Sequence, residues 1–184
     1  MKRPTRTLPI VGVLGSGERE DTEESKAVPL GRWLAGQSVH LLTGGGAGVM
    51  ESVSRAFSEV DERSGLIIGV LKGQEGVRDA DPNPYVELPI YTHLPLSGED
   101  GMNSRSRNHI NVLTSDVLVA LRGGDGTASE VALAVEYSRP VIAFVDSRDE
   151  IPNGVLRSVE ISGNIEEIKR FVDANLKRIG ARSA

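Results

Sequence analysis

Residues 117–137 read VLVALRGGDGTASEVALAVEY. The run Val117–Leu121 is apolar without alternation, as a strand covered on both faces requires. It meets Arg122-Gly123-Gly124-Asp125-Gly126 directly, and from Thr127 to Tyr137 the chain is apolar nearly all round. Glycines let a backbone turn sharply and approach a ligand closely. Strand, glycine turn and helix in this order make the repeating unit of an α/β fold.

The same unit recurs on the N-terminal side. Ile10–Leu14 leads into Gly15-Ser16-Gly17, and Val39–Thr43 leads into Gly44-Gly45-Gly46-Ala47-Gly48. From Val49, residues Met50, Val53, Ala56, Phe57 and Val60 keep the spacing of one buried helical face. Further strands are expected at Leu66–Leu71, Val86–Tyr91 and Val141–Val145, and a last helix carries Ile165, Ile168, Phe171, Val172 and Ile179. A first helix within Glu23–Gly36 contains Pro29, which should kink it or restart it. Strands alternating with helices mean right-handed βαβ crossovers. The expectation is a single Rossmann-like domain over residues 1–184, a doubly wound and mostly parallel sheet with helices on both faces. The segments Lys72–Pro84 and Thr92–Ser104 are irregular, and loops of that length in a compact domain are usually functional or mobile.

Composition narrows the function. The chain has 184 residues, 39% hydrophobic and 26% charged, with a formal net charge of −5. That balance fits a water-soluble globular protein and argues against a nucleic-acid groove. It has no cysteine, which removes disulfides, thiolate metal sites and cysteine nucleophiles. His40, His93 and His109 lack metal-ligand spacing, so no metal is expected. No apolar run reaches the roughly 18 residues of a membrane span. The basic start with Leu8–Leu14 imitates a signal peptide only faintly, because Pro9 and Gly12 interrupt it and no small-x-small cleavage site follows. A cytoplasmic protein is expected.

Ligands of open parallel sheets bind beyond the carboxyl ends of the strands, near the point where strand order reverses. The three glycine turns lie at such ends, and two run into a helix whose unpaired N–H groups favour an anion, phosphate above all. The candidate ligand-binding residues are Gly15, Ser16, Gly44, Gly45, Gly46, Gly48, Val49, Met50, Gly123, Gly124, Asp125, Gly126 and Thr127. No Lys-Ser/Thr follows either long turn, and neither matches G-x-G-x-x-G with a downstream acid, so ATP hydrolysis and NAD binding are poorly supported. Arg105, Arg107 and Asn108 precede the Val117–Leu121 strand at a helix start aimed at the same edge, and arginine suits bidentate phosphate recognition. A solvated surface role for Arg105 competes with that reading. Thr127 and Glu130 have the spacing of a capping box, in which each side chain closes an orphan N–H. The competing reading places the Glu130 carboxylate beside the anion site, where it performs chemistry or holds a ribose hydroxyl.

Thr43-Gly-Gly-Gly-Ala-Gly-Val-Met-Glu51 together with Gly123-Gly-Asp-Gly-Thr-Ala-Ser-Glu130 resembles the Lonely Guy (LOG) superfamily and its GGxGTxxE motif. The resemblance spans roughly Ile10 to Val145, and Ser104–Thr127 is most similar to the molybdenum-cofactor carrier branch. For that branch it implies a protein that binds molybdopterin, with Gly44–Gly48, Arg107, Asn108 and Gly123–Thr127 gripping a flat anionic ligand and no catalysis required. For the hydrolytic branch it implies a phosphoribohydrolase that splits nucleoside 5′-monophosphates into base and ribose 5-phosphate. Arg107 and Glu130 would then be catalytic, the carboxylate stabilising an oxocarbenium-like ribosyl cation. The enzymes have proline where this chain has Arg122 and lysine where it has Asn108, which favours the carrier reading. The expected ligand is therefore a molybdenum cofactor or a nucleotide monophosphate, with no cofactor required for function and neither membrane nor nucleic acid as partner. A homo-oligomer, dimer or tetramer, is also expected. Relatives of both branches assemble, and the helices Val49–Val60 and Thr127–Tyr137 carry more apolar surface than one sheet face needs.

Overall fold

The computed structural model describes residues 8–18, 22–74, 77–78, 81–152 and 157–181. In chain order the elements are β1 (Ile10–Leu14), α1 (Thr22–Ala35), β2 (His40–Thr43), α2 (Val49–Ser58), β3 (Ile67–Leu71), β4 (Gly73–Gln74), β5 (Val77–Arg78), β6 (Leu88–Tyr91), α3 (Asn108–Thr114), β7 (Val117–Ala120), α4 (Asp125–Glu136), β8 (Val141–Ala143), β9 (Glu160–Ile161) and α5 (Ile165–Ala181). Short 3₁₀ turns occupy Gly98–Asp100 and Arg148–Glu150.

Strands β6-β3-β2-β1-β7-β8-β9 form one sheet in that order, with every neighbouring pair parallel. This is the doubly wound α/β architecture expected from the alternation of strands and helices. The chain leaves β1 toward β2 on one side, and β7 lies on the other, so strand order reverses between β1 and β7.

The unbroken apolar runs are explained by burial on both faces. Val117 and Val119 of β7 join a core with Leu30 and Leu34 of α1, Val53 and Phe57 of α2, and Ile168 and Val172 of α5. Leu118 and Ala120, pointing the other way, join Val112 of α3 and Val131, Leu133 and Ala134 of α4. Helix α1 runs without restart through Pro29, because Ala27, Val28, Leu30 and Leu34 around it are all buried. That burial, at about 25 cal/mol per Å² of apolar surface, outweighs the one hydrogen bond proline removes.

Three short strands were not legible as apolar runs. β9 is only two residues at the edge, and β4 with β5 makes a two-stranded antiparallel ribbon inside the irregular segment after β3. That segment, irregular as expected, stands where a crossover helix commonly joins two parallel strands, between β3 and β6. Leu42, Ile68 and Val70 therefore form a small third cluster with Ile110 of α3 against it. Beside this cluster Leu88 and Ile90 of β6 and Leu113 of α3 stay exposed, at 45%, 37% and 46%. The surplus apolar surface expected on α2 and α4 is mostly covered within the chain, where Val53, Phe57, Leu133 and Ala134 are fully buried. Among the described residues no helix is long and apolar enough to cross a membrane.

Candidate functional site

The turn after β1 and the turn after β7 meet at the reversal point. The amide of Ser16 donates to the carbonyl of Arg122 at 3.0 Å, and the amide of Val49 donates to the carbonyl of Ser16 at 2.9 Å. Gly48 makes the second contact possible: its φ is 62°, and a β-carbon there would run into the carbonyl oxygens of Ser16 and Glu18. The three glycine turns are thus bonded to one another and not merely neighbours.

They border a cleft of about 720 Å³ at the carboxyl edge of the sheet. Of the residues expected from the sequence, Gly15, Ser16, Gly44, Met50, Arg107, Asn108, Gly123, Gly124, Gly126, Thr127 and Glu130 line it. Gly45, Gly46, Gly48, Val49 and Asp125 lie outside its lining. The Gly45 amide donates to Thr43 Oγ1 at 3.1 Å, and Asn83 donates to the carbonyls of Gly45 and Gly46 at 2.8 and 2.9 Å.

Several turn amides expected to face a ligand are used internally, those of Ser16, Gly45, Val49 and Gly123 among them. Among the donors left over are those of the first turn of α4, where the amides of Asp125, Gly126 and Thr127 have no acceptor among the described residues. Every helix leaves its first N–H groups unpaired, and here nothing caps them, because the N-cap is Gly124 with no side-chain hydrogen bond. A β-carbon at Gly124 would meet nothing within 4 Å, and one at Gly126 would come no nearer than 3.5 Å to Gly98, so the backbone there is open to close approach. The capping-box reading of Thr127 and Glu130 is accordingly wrong: Thr127 is the third residue inside the helix.

Glu130 instead turns inward and is 7% exposed. Its Oε1 accepts from Asn111 Nδ2 at 2.6 Å. Burial pushes the carboxyl above the ordinary glutamate range, opposed by the charge of Arg107 and the Asn111 hydrogen bond. Arg107 sits at the start of α3 and reaches back across β3, donating from Nη1 to the carbonyl of Val70 at 3.1 Å. Its Nε is buried without a partner, and Nη2 donates to no described residue. Burial lowers its pKa while Glu130 raises it, and no salt bridge joins the two.

Arg105 is exposed and outside the lining, as its solvated reading requires. Asn108 is 1% exposed and donates to Ser129 Oγ at 2.9 Å, joining α3 to α4 at the cleft wall. His93 is exposed and away from the cleft, whereas His109 pairs with Tyr137 and His40 accepts from the Leu66 amide at 2.9 Å. Sequence reasoning did not single out Asn111, Ser97, Gly98, Asp149 or Glu150. Asn111 carried a usable signal, since it lies four residues after Arg107 on the same face of α3. Ser97 and Gly98 come from the irregular Thr92–Ser104 segment, whose length had marked it.

Comparison with known proteins places this geometry in context. The molybdenum cofactor binding protein from the phototrophic bacterium Rippkaea orientalis is 32% identical, with a TM-score of 0.68 over 92% of this chain and 98% of that one. The Moco carrier protein from Chlamydomonas reinhardtii is 29% identical, with a TM-score of 0.65 over 93% and 99%. DNA processing protein A from Helicobacter pylori, 16% identical with a TM-score of 0.64 over 94% and 82%, shares the fold alone. An uncharacterized protein of Archaeoglobus fulgidus is 28% identical over 134 residues, 73% of this chain and 78% of that one. The LOG-type resemblance read from the glycine motifs, nearest to the carrier branch, holds in these comparisons. The model of the SLOG cluster4 family matches residues 8–170, and the chain belongs to that family.

Proposed function

We propose that this protein binds a phosphorylated heterocycle, a molybdopterin-type cofactor or a nucleotide, at the carboxyl edge of its sheet and serves as a carrier. The observation that supports it most is the pairing of unspent donors on one cleft: the free amides of Gly126 and Thr127 at the start of α4 and the Arg107 guanidinium, which has one acceptor among the described residues. Charged hydrogen bonds to an oxyanion satisfy both sets, and Arg122 on the same lining adds positive charge. The cleft is large enough for a fused-ring ligand beyond the phosphate. The similarity to two proteins named for molybdenum cofactor binding supports the carrier assignment over hydrolysis.

The test is calorimetric titration with molybdenum cofactor, AMP and GMP, together with an assay for free base. Tight binding without base release supports a carrier. Release of base that Glu130→Gln abolishes supports the phosphoribohydrolase, in which Arg107 and Glu130 act on the substrate. A homo-oligomer belongs to the same proposal, assembled through the face that Leu88, Ile90 and Leu113 leave uncovered. Light scattering at micromolar concentration tests it, with Leu88→Asp expected to shift the mass to that of a monomer.

A further inference from the structure

The cleft that suits an anion also holds a carboxyl group with little to keep it charged. Glu130 is 7% exposed, Asn111 is its sole hydrogen-bond donor among the described residues, and its Oε2 accepts from none. Asn111 is itself 1% exposed, and its Oδ1 has no partner among them. Buried carboxylates are stable only when paired or amply hydrogen-bonded. Arg107 supplies opposite charge but makes no salt bridge with Glu130, so its guanidinium can neutralise an incoming oxyanion or Glu130, not both fully.

We propose that the site takes up its anionic ligand together with a proton, which Glu130 holds on its carboxyl oxygen in the bound state. This rests on the anion-binding reading above. Two negative groups sharing one low-dielectric cleft cannot both remain charged at small cost, and the group that can neutralise itself is the carboxyl. A neutral Glu130 gains one O–H donor while its other oxygen still accepts from Asn111, so it can donate either to the ligand or to the orphan Asn111 Oδ1. Other charged groups bordering the cleft are Arg122 after β7, Glu18 after β1, and Asp149 and Glu150 in the 148–150 turn. Of the groups facing Glu130, only the Arg107 charge reaches it appreciably. His109, on α3, is turned toward Tyr137 and Asn103 instead.

Sulfate is the probe, because it stays doubly charged across the working pH range while a phosphate ester titrates near neutrality. Calorimetric titrations of wild type and Glu130→Gln with sulfate from pH 5 to 9, each in two buffers of different ionisation enthalpy, measure affinity and proton uptake together. Wild-type affinity should fall with rising pH where the free Glu130 ionises, by up to about tenfold per pH unit, with as much as one proton absorbed per sulfate. Glu130→Gln should bind with little dependence on pH and absorb no proton through this position. Parallel pH profiles for the two proteins, or an enthalpy independent of buffer, overturn the proposal while leaving anion binding intact. Sulfate binding to neither protein overturns the anion-binding reading as well. Should the variant fail to fold, ¹³C-carboxyl NMR of the wild type decides: sulfate must move the Glu130 midpoint to higher pH, and an unmoved midpoint refutes the idea.

Discussion

The Arg107 guanidinium occupies the space into which a side chain at Gly44 would grow, so that a β-carbon on Gly44 would overlap its Nη1 and Nη2. Gly44 directly follows β2, Arg107 is the N-cap of α3, and the guanidinium bridges onward to the Val70 carbonyl near the end of β3. The absence of a side chain at one strand end thus sets the position of a charge contributed by a different element. Binding and stability at this point are coupled through one cavity-sized fit.

Gly44→Ala should therefore displace the guanidinium. Overpacking of this kind costs about 1–3 kcal/mol of stability, and anion affinity should fall along with it. In the Gly44→Ala/Arg107→Ala double variant most of the stability loss should disappear while binding stays weak. A double-mutant cycle by urea denaturation checks this, and simple additivity would show that the two residues do not contest the same space.

Arg107→Ala alone should weaken binding of any phosphorylated ligand by about 1.5–3 kcal/mol, the range for a charged hydrogen bond. Arg105→Ala, altering an exposed residue off the cleft, should leave the affinity unchanged. Calorimetry on the pair of variants separates local recognition from general loss of positive charge.

The raised pKa of Glu130 has a definite sign for stability. A carboxyl that holds its proton more tightly when folded contributes most below its unfolded pKa, and the folded state loses that advantage as pH rises through the folded value. Glu130→Gln should accordingly gain stability relative to wild type as pH rises above about 4, the unfolded value. Melting temperatures of both proteins across that range test it; a difference independent of pH would contradict the shift.

Glu87 behaves in the opposite way. Its two carboxylate oxygens accept from Arg63 at 3.0 and 2.7 Å, and Oε2 also accepts the Ile67 amide at 2.9 Å, fixing the entry to β6 against β3. The Arg63 hydrogen bond, first among the causes, holds its pKa below the ordinary value. The stability it lends is present above the unfolded pKa and lost as pH falls through the folded one. Glu87→Gln should destabilise by about 1 kcal/mol or less at neutral pH, since the pair is partly exposed, and the deficit should vanish below about pH 4. Denaturation midpoints at pH 7 and pH 3.5 are the measurement.

Much of the architecture was legible in one dimension. Runs such as Val117–Leu121 lack alternation because both sides of a central strand are covered, and helical spacing from Val49 reports a single buried face. These are local consequences of burial, and they survive in the order of residues. Edge strand β9 and the β4–β5 ribbon left no such trace, because strands of two residues are too short to produce a pattern.

At the site, residue order determined that glycine turns, an arginine and a glutamate fall at the carboxyl ends of parallel strands, which brings them to one edge. Only the tertiary structure decided which amides remain free, since Ser16, Val49 and Gly123 find acceptors in turns and segments that pack against them from elsewhere in the chain. It likewise decided that Glu130 meets Asn111 instead of capping its own helix, and that Gly44 makes room for Arg107. Periodicity and turn preference are properties of neighbours in sequence, whereas hydrogen-bond partners, burial and the electrostatics that follow are settled by residues dozens of positions apart that the sheet brings together.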